Sequence, residues 1–229
     1  MMKKTILLLS CEHASQHIPE DFQSVDIPYS DNPFSKFDPF ADELTRNIAN
    51  LLNCEYFLGN ISRQLIDLNK PSHLNHCFSV QLSDKHQKHL LEQYYHPYHN
   101  QIFKTIQQHI DNNHQVMHVS VHTFNPEENG VEHNAAIGLL YDPHRHAEKE
   151  VVRIWNELLM KRTPYRVRLN YPRSGKSDNL TSLCRKKWNE NDYLGIELEC
   201  NASLLGDKQF AADLYNNINE TICDLLEML

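Results

Sequence analysis

Short apolar runs alternate with longer stretches of helical spacing along almost the whole chain, and this alternation restricts the fold more than any other feature. Lys4 to Ser10 reads as a buried strand, and Asp38 to Asn53 as a helix with a stripe of Phe40, Leu44, Ile48 and Leu51 or Leu52. Short strands are expected near Glu55 to Leu58 and Gln64 to Leu68. Ser83 to Asn113 carries a long helical pattern with Ser83 as a candidate N-cap, apolar positions at Leu91, Tyr95, Tyr98, Ile102 and Ile106, and a kink or break at Pro97. Val116 to Val121, Ala135 to Tyr141, Tyr165 to Leu169 and Leu194 to Cys200 are further strands. Pro143 to Met160 contains a helix, and Lys208 to Met228 closes the chain as an amphipathic one. Strands separated by helices predict a three-layer α/β fold, a largely parallel sheet flanked by helices, with chemistry at the carboxyl ends of the strands. At 229 residues the chain suits one such domain, spanning 1–229.

Composition removes several function classes. A formal charge of -8 with 22 basic residues gives no basic excess for binding nucleic-acid phosphates. No segment approaches the roughly 18 apolar residues that span a membrane. The opening MMKKTILLLSCEH has too short an apolar run for a signal peptide and reads as the first strand. Cys11, Cys54, Cys77, Cys184, Cys200 and Cys223 are widely spread without a CxxC pair, as expected of reduced, mostly buried thiols in a cytoplasmic protein. With 6 glycines the chain assembles neither a dinucleotide fingerprint nor a P-loop. Of the 15 histidines, His86, His89 and His114 lie in polar surroundings and are expected at the surface. Asn129-Gly130 marks a turn, and Asn170 to Asn179 is a polar loop suited to a lid or specificity segment.

Polar residues collect where the expected strands end. Cys11, Glu12 and His13 follow the first strand, and His122 ends another in SVHTFNP. Two strand-end imidazoles and a carboxylate make a three-ligand zinc site that leaves a position for water. The carboxylate is Asp38 or Glu12, and Asp38 has a competing role as a helix N-cap. In ISRQLIDLNK, an extended Gln64 to Leu68 would put Asp67 among buried neighbours, where a carboxylate needs a cationic or hydrogen-bonded partner. A structural salt bridge and an active-site role both answer that need. In GIELECN, Glu197 and Glu199 share a face, and a carboxylate on a buried strand can have its pKa raised toward a general base. Either glutamate could instead pair with a lysine or arginine, the expectation for Glu199.

In order along the chain, SCEHASQHIP, DPFADEL, SRQLIDLNK, YYHPYH, SVHTFNP, IGLLYD, NYPRSGKSDNL and GIELECN resemble the N-formylglutamate amidohydrolase family. That family is similar in architecture to zinc carboxypeptidases and aspartoacylase, so the resemblance implies a mixed, phosphorylase/hydrolase-like sheet. It further implies a single Zn²⁺ held by His13, His122 and either Asp38 or Glu12, with Arg63 facing the oxyanion and Glu197 as general base. Asp67 becomes an orienter behind a ligand. Asn69, Lys70, Arg173 and Lys176 would hold a small anionic N-acyl amino acid, although Arg173 and Lys176 in a loop could equally be solvated charges. Two positions depart from the pattern. The superfamily has Glu three residues after its first His, where this chain has Gln16, and Lys70 stands where Arg is usual. A lysine neutralises a carboxylate but does not grip it through a planar fork. The implied reaction is metal-assisted hydrolysis of the formyl amide of N-formylglutamate. The alternatives are hydrolysis of another N-acyl amino acid or small peptide, and a non-catalytic relative that binds an acidic metabolite.

Overall fold

The computed structural model describes residues 3–74, 77–128 and 130–229. Strands β1 (Lys4–Cys11), β2 (Glu55–Leu58), β3 (His114–Phe124), β6 (Ile137–Leu140), β7 (Val167–Leu169) and β8 (Tyr193–Asn201) form one sheet, in the order β2-β1-β3-β8-β6-β7. The first four in that order run parallel, while β6 pairs antiparallel with β8 and parallel with β7. The sheet is therefore mixed and mostly parallel. Two short strands, β4 (Glu127–Glu128) and β5 (Val131–Glu132), form a separate antiparallel pair. Gly130 between them has φ 76°, whereas Asn129 of the expected turn lies outside the described residues.

Period-two patterning decides what each sheet face carries. Leu7 and Leu9 of β1, Met117, Val119 and Val121 of β3, and Leu194, Ile196 and Leu198 of β8 belong to one apolar cluster. It is completed by helices α1 (Ala41–Leu52), α4 (His146–Arg162) and α7 (Lys208–Met228). On the other face the in-register rows are Leu8, His118 and Gly195, then Ser10, Ser120 and Glu197, with His122 and Glu199 beyond. That face is covered by α3 (His96–Asp111), α5 (Leu180–Lys187) and the buried segment around Ile61 to Leu68. Polar residues thus increase toward the carboxyl ends of β1, β3 and β8 on one face only.

The helical pattern of Ser83 to Asn113 resolves into α2 (Asp84–Leu90), a π turn over Leu91–Tyr95, and α3. Ser83 caps α2, its hydroxyl accepting from His86 N at 3.3 Å. Pro97 offers no N–H to the preceding turn, and the wider π turn lies immediately before it. Gln64 to Leu68 is not a strand. Leu65, Ile66, Asp67 and Leu68 are all buried, leaving no alternation. Asp67 Oδ1 accepts from its own Asn69 N at 2.9 Å, an Asx turn that curls the chain where a strand would continue. Helices α5 and α6 (Ala202–Leu205) are additions to the sequence reading. Among the described residues no helix is long and apolar enough to cross a membrane, and all six cysteines are free. His86 and His89, expected at the surface, are half-buried against Phe22, with ring centroids 5.3 and 5.6 Å from it.

Candidate active site

His13 and His122 emerge at the carboxyl ends of β1 and β3, and Asp38 meets both. His13 Nδ1 is 3.1 Å and His122 Nδ1 2.8 Å from Asp38 Oδ2. The three residues are buried, and each offers one ligand atom within 4.8 Å of the others. Asp38 reaches this position because its backbone N–H donates to His13 O at 2.9 Å and α1 starts only at Ala41. Phe40 holds the N-cap position with φ 68° and no side-chain cap, so the Asp38 carboxylate is free of capping. Gln16 is exposed and outside the cluster.

Behind each imidazole stands a second carboxylate. His13 Nε2 donates to Asp67 Oδ1 at 2.7 Å, and His122 Nε2 lies 3.1 Å from Glu12 Oε2. Glu12 also accepts from Tyr98 OH at 3.0 Å and Ser120 Oγ at 2.5 Å. The arrangement places Glu12 behind His122, and Asp38 between the two histidines. Arg63 reaches Asp38 Oδ1 at 3.1 Å and Asp67 Oδ2 at 3.3 Å, so the salt bridge sought for Asp67 exists inside this cluster. Burial would raise Asp38, but the charge of His13 and the hydrogen bonds of both histidines hold its carboxyl well below the usual range. Burial would lower His122, but hydrogen bonds to Asp38 and Glu12 raise it well above an ordinary imidazole.

The cluster opens into a cavity of about 440 Å³. Asn69, Lys70, Arg173, Glu197 and Glu199 also line it, whereas Lys176 does not. Lys176 sits in the tight turn closed by Ser177 N onto Ser174 O at 3.1 Å and is exposed. Among the described residues Lys70 and Arg173 have no ion-pair partner. Asn69 is tied on both sides, its Nδ2 lying 3.3 Å from His122 Nε2 and its Oδ1 accepting from Leu180 N at 3.0 Å. The loop from Asn170 to Asn179 is pinned: Asn170 Oδ1 accepts from Tyr141 N and Gly175 N at 3.1 and 2.9 Å. A Cβ on Gly175 would come within 2.2 Å of the Tyr141 backbone, so only glycine allows this approach.

The two glutamates of β8 differ. Glu197 accepts from Asn179 Nδ2 and from Thr181 Oγ1 at 3.4 Å. Glu199 pairs in register with His122 and, among the described residues, accepts no hydrogen bond and has no ion-pair partner. Burial pushes Glu199 up to about 7, against the pull of His122 and Arg173. Burial also raises Glu197. The expected pairing of Glu199 with a lysine or arginine does not form. Asn179, Thr181, Ser120 and Tyr98 are polar partners that sequence reasoning missed. An Asn three residues before Ser182, at the edge of an apolar run, was the available signal for a capped helix at Asn179.

The model of the N-formylglutamate amidohydrolase family matches residues 5–205. No curated protein matches the chain by sequence. Among solved structures, a gene product of Agrobacterium tumefaciens superposes with a TM-score of 0.82 at 19% identity, covering 97% of this chain and 90% of that one. An N-formylglutamate amidohydrolase from Ralstonia eutropha superposes with a TM-score of 0.76 at 15% identity, covering 99% and 94%. At these identities the superpositions speak for the fold. The family match extends over both strand-end histidines, Asp38, the Arg63 to Lys70 segment and both glutamates of β8. On that match, the chain belongs to the N-formylglutamate amidohydrolase family, a family of amide hydrolases.

Proposed function

We propose that this chain hydrolyses the formyl amide of N-formylglutamate, or of a closely similar N-acyl amino acid, with one zinc ion held by His13, His122 and Asp38. The observation that carries this reading is the donor set of two imidazole Nδ1 atoms and one carboxylate oxygen facing a polar cavity. It fits a divalent cation in two respects. Each Nε2 meets a carboxylate, the arrangement that fixes tautomer and ring orientation in metal-ligating histidines. Among the described residues the fixed cation paired with this cluster is Arg63, which meets Asp38 and Asp67 while Glu12 faces His122, so with neutral histidines the three carboxylates leave the cluster negative. When bound there, zinc supplies a Lewis acid and lowers the pKa of bound water to about 7.

The chain's own groups supply the remaining chemistry. Glu199 is the better base, because Glu197 is already engaged by Asn179 and Thr181. Glu199 takes a proton from water as the water oxygen bonds to the formyl carbon. It returns that proton to the amine nitrogen as the C–N bond breaks, leaving formate and the amino acid. Arg63, oriented by Asp38 and Asp67, donates to the developing oxyanion. Asn69 orients the substrate, while Lys70 and Arg173 neutralise its carboxylates.

Formate release by the zinc-loaded protein tests the reading. Glu199→Gln should lower kcat by about 10² to 10⁴ with little change in KM, and Glu197→Gln by much less. The reverse order would return the base to Glu197. Activity retained in both His13→Ala and His122→Ala would overturn the metal assignment. Lys70, a point charge in place of a planar fork, favours a second reading in which the acyl group or side chain differs. Formyl, acetyl and peptidyl substrates compared side by side decide between the two.

A further inference from the structure

Asn69 and Lys70 line the first cavity, and the next residues, Pro71 and Ser72, line a second one of about 320 Å³. The two share no lining residue. Aromatic rings form much of the second cavity. Tyr95 and His99 stack with centroids 4.0 Å apart and 20° between planes, and Phe103 meets His99 edge-on at 5.7 Å. These walls are held before any ligand arrives. Tyr95 OH donates to Lys70 O at 2.9 Å and accepts from Ser72 N at 3.0 Å, and His99 Nε2 donates to Leu68 O at 2.8 Å.

That last bond sets the tautomer of the ring. A carbonyl only accepts, so Nε2 carries the ring proton, and burial holds the His99 pKa down at about 4, leaving the ring neutral. Nδ1 is then the ring's remaining acceptor, on a side chain of the cavity wall. Among the described residues nothing donates to it. The rim supplies charge. Lys186 and Lys187 both line the cavity, and no acidic residue does. Lys187 Nζ lies 4.7 Å from the Phe103 ring centroid, and Lys186 reaches Asp178 at 3.5 Å in an exposed pair of little strength.

We propose that this second cavity binds an aromatic hydroxy acid, whose flat ring packs against Tyr95, His99 and Phe103, whose carboxylate meets Lys186 and Lys187, and whose O–H donates to His99 Nδ1. Each part of the ligand answers one observed feature of the wall. Stacking surface, charge and the single donor together set it apart from the substrate of the first cavity, whose lining includes several carboxylates and the cations Lys70 and Arg173.

Isothermal calorimetry on the 229-residue chain tests this with para-hydroxybenzoate as probe. Saturable one-site binding is expected. Its methyl ester, which lacks the charge, and para-methoxybenzoate, which lacks the donor, should each bind about tenfold more weakly or worse, the equivalent of about 1.4 kcal/mol. The double variant Lys186→Ala/Lys187→Ala should weaken the acid similarly; both lysines are exposed, so the fold is retained. Lys70→Ala should leave binding unchanged. Absence of saturable heat, equal binding of the ester, or loss of binding in Lys70→Ala with retention in the lysine double variant would overturn the proposal, the last by assigning the probe to the first cavity.

Discussion

Glu12 is buried yet ionised. Burial pushes its carboxyl up, but the hydrogen bond and charge of His122, with the hydroxyls of Ser10 and Ser120, hold it well below the usual range. It therefore serves His122 from behind, on the side away from Asp38. Glu12→Gln preserves its size and removes its charge, and zinc affinity should fall by about 10- to 100-fold, measured by competition with a chelating dye. Unchanged affinity would separate Glu12 from the proposed metal site. Tyr98→Phe removes only one of its donors and should have a smaller effect, since a single hydrogen bond nets about 1 kcal/mol. That His13 and His122 meet a carboxylate was legible in the sequence, because each lies in a short motif at the edge of an apolar run, but the choice between Asp38 and Glu12 was left open there. The different surroundings of Glu197 and Glu199 were not legible. Period-two alternation places both on one face, and what separates them is Asn179 and Thr181, which no local pattern connects to β8.

At the scale of elements, α5 joins the two halves of the site. Asn179 caps it by accepting from Ser182 N at 2.8 Å, in a capping box closed by Asn179 N donating to Ser182 Oγ at 3.0 Å. The same side chain donates to Glu197, and the first helical N–H, from Leu180, donates to Asn69. One helix start thus holds the Asn69 segment against β8. Asn179→Ala removes the cap and leaves Glu197 short of a donor. Each loss costs about 1 to 2 kcal/mol, so urea unfolding should show destabilisation at the upper end of the range for a lost cap. Asn179→Asp keeps the acceptor for Ser182 but sets a carboxylate against Glu197. If Asp rescues stability completely, the contact with Glu197 has no energetic weight. The sequence reading missed α5 because its eight residues follow the polar loop directly, with too few turns to declare a helical period. It placed a strand at Gln64 to Leu68 because apolar content there was read as alternation, when burial on every side and the Asp67 turn produce the same composition.

Across the whole molecule, the α/β class and the covered sheet followed from the order of apolar runs, whereas the reversal of β6 and β7 depends on pairings between distant segments. The same long-range assembly buries His118 at the centre of the sheet, in β3 between β1 and β8. Its Nε2 is 2.7 Å from Ser10 Oγ and its Nδ1 2.8 Å from Tyr193 OH, so three strands enclose one imidazole. Burial lowers its pKa from 6.5 to about 4, an effect that Glu12 opposes and Arg185 reinforces. The sign of the consequence follows. Between 6.5 and about 4 the unfolded chain binds a proton that the folded protein refuses, so this contribution is complete above 6.5 and is lost as pH falls toward 4. The loss is on the order of 3 kcal/mol at 1.36 kcal/mol per pH unit. Other groups in the chain titrate in the same interval, so the measurement is a difference. His118→Gln retains donor and acceptor atoms without a titratable ring, and urea unfolding of both proteins at stepped pH isolates the histidine. The stability gap should move in favour of the variant by about 3 kcal/mol between neutral pH and pH 4. A gap independent of pH would mean that His118 takes up its proton as readily in the folded sheet as in the unfolded chain.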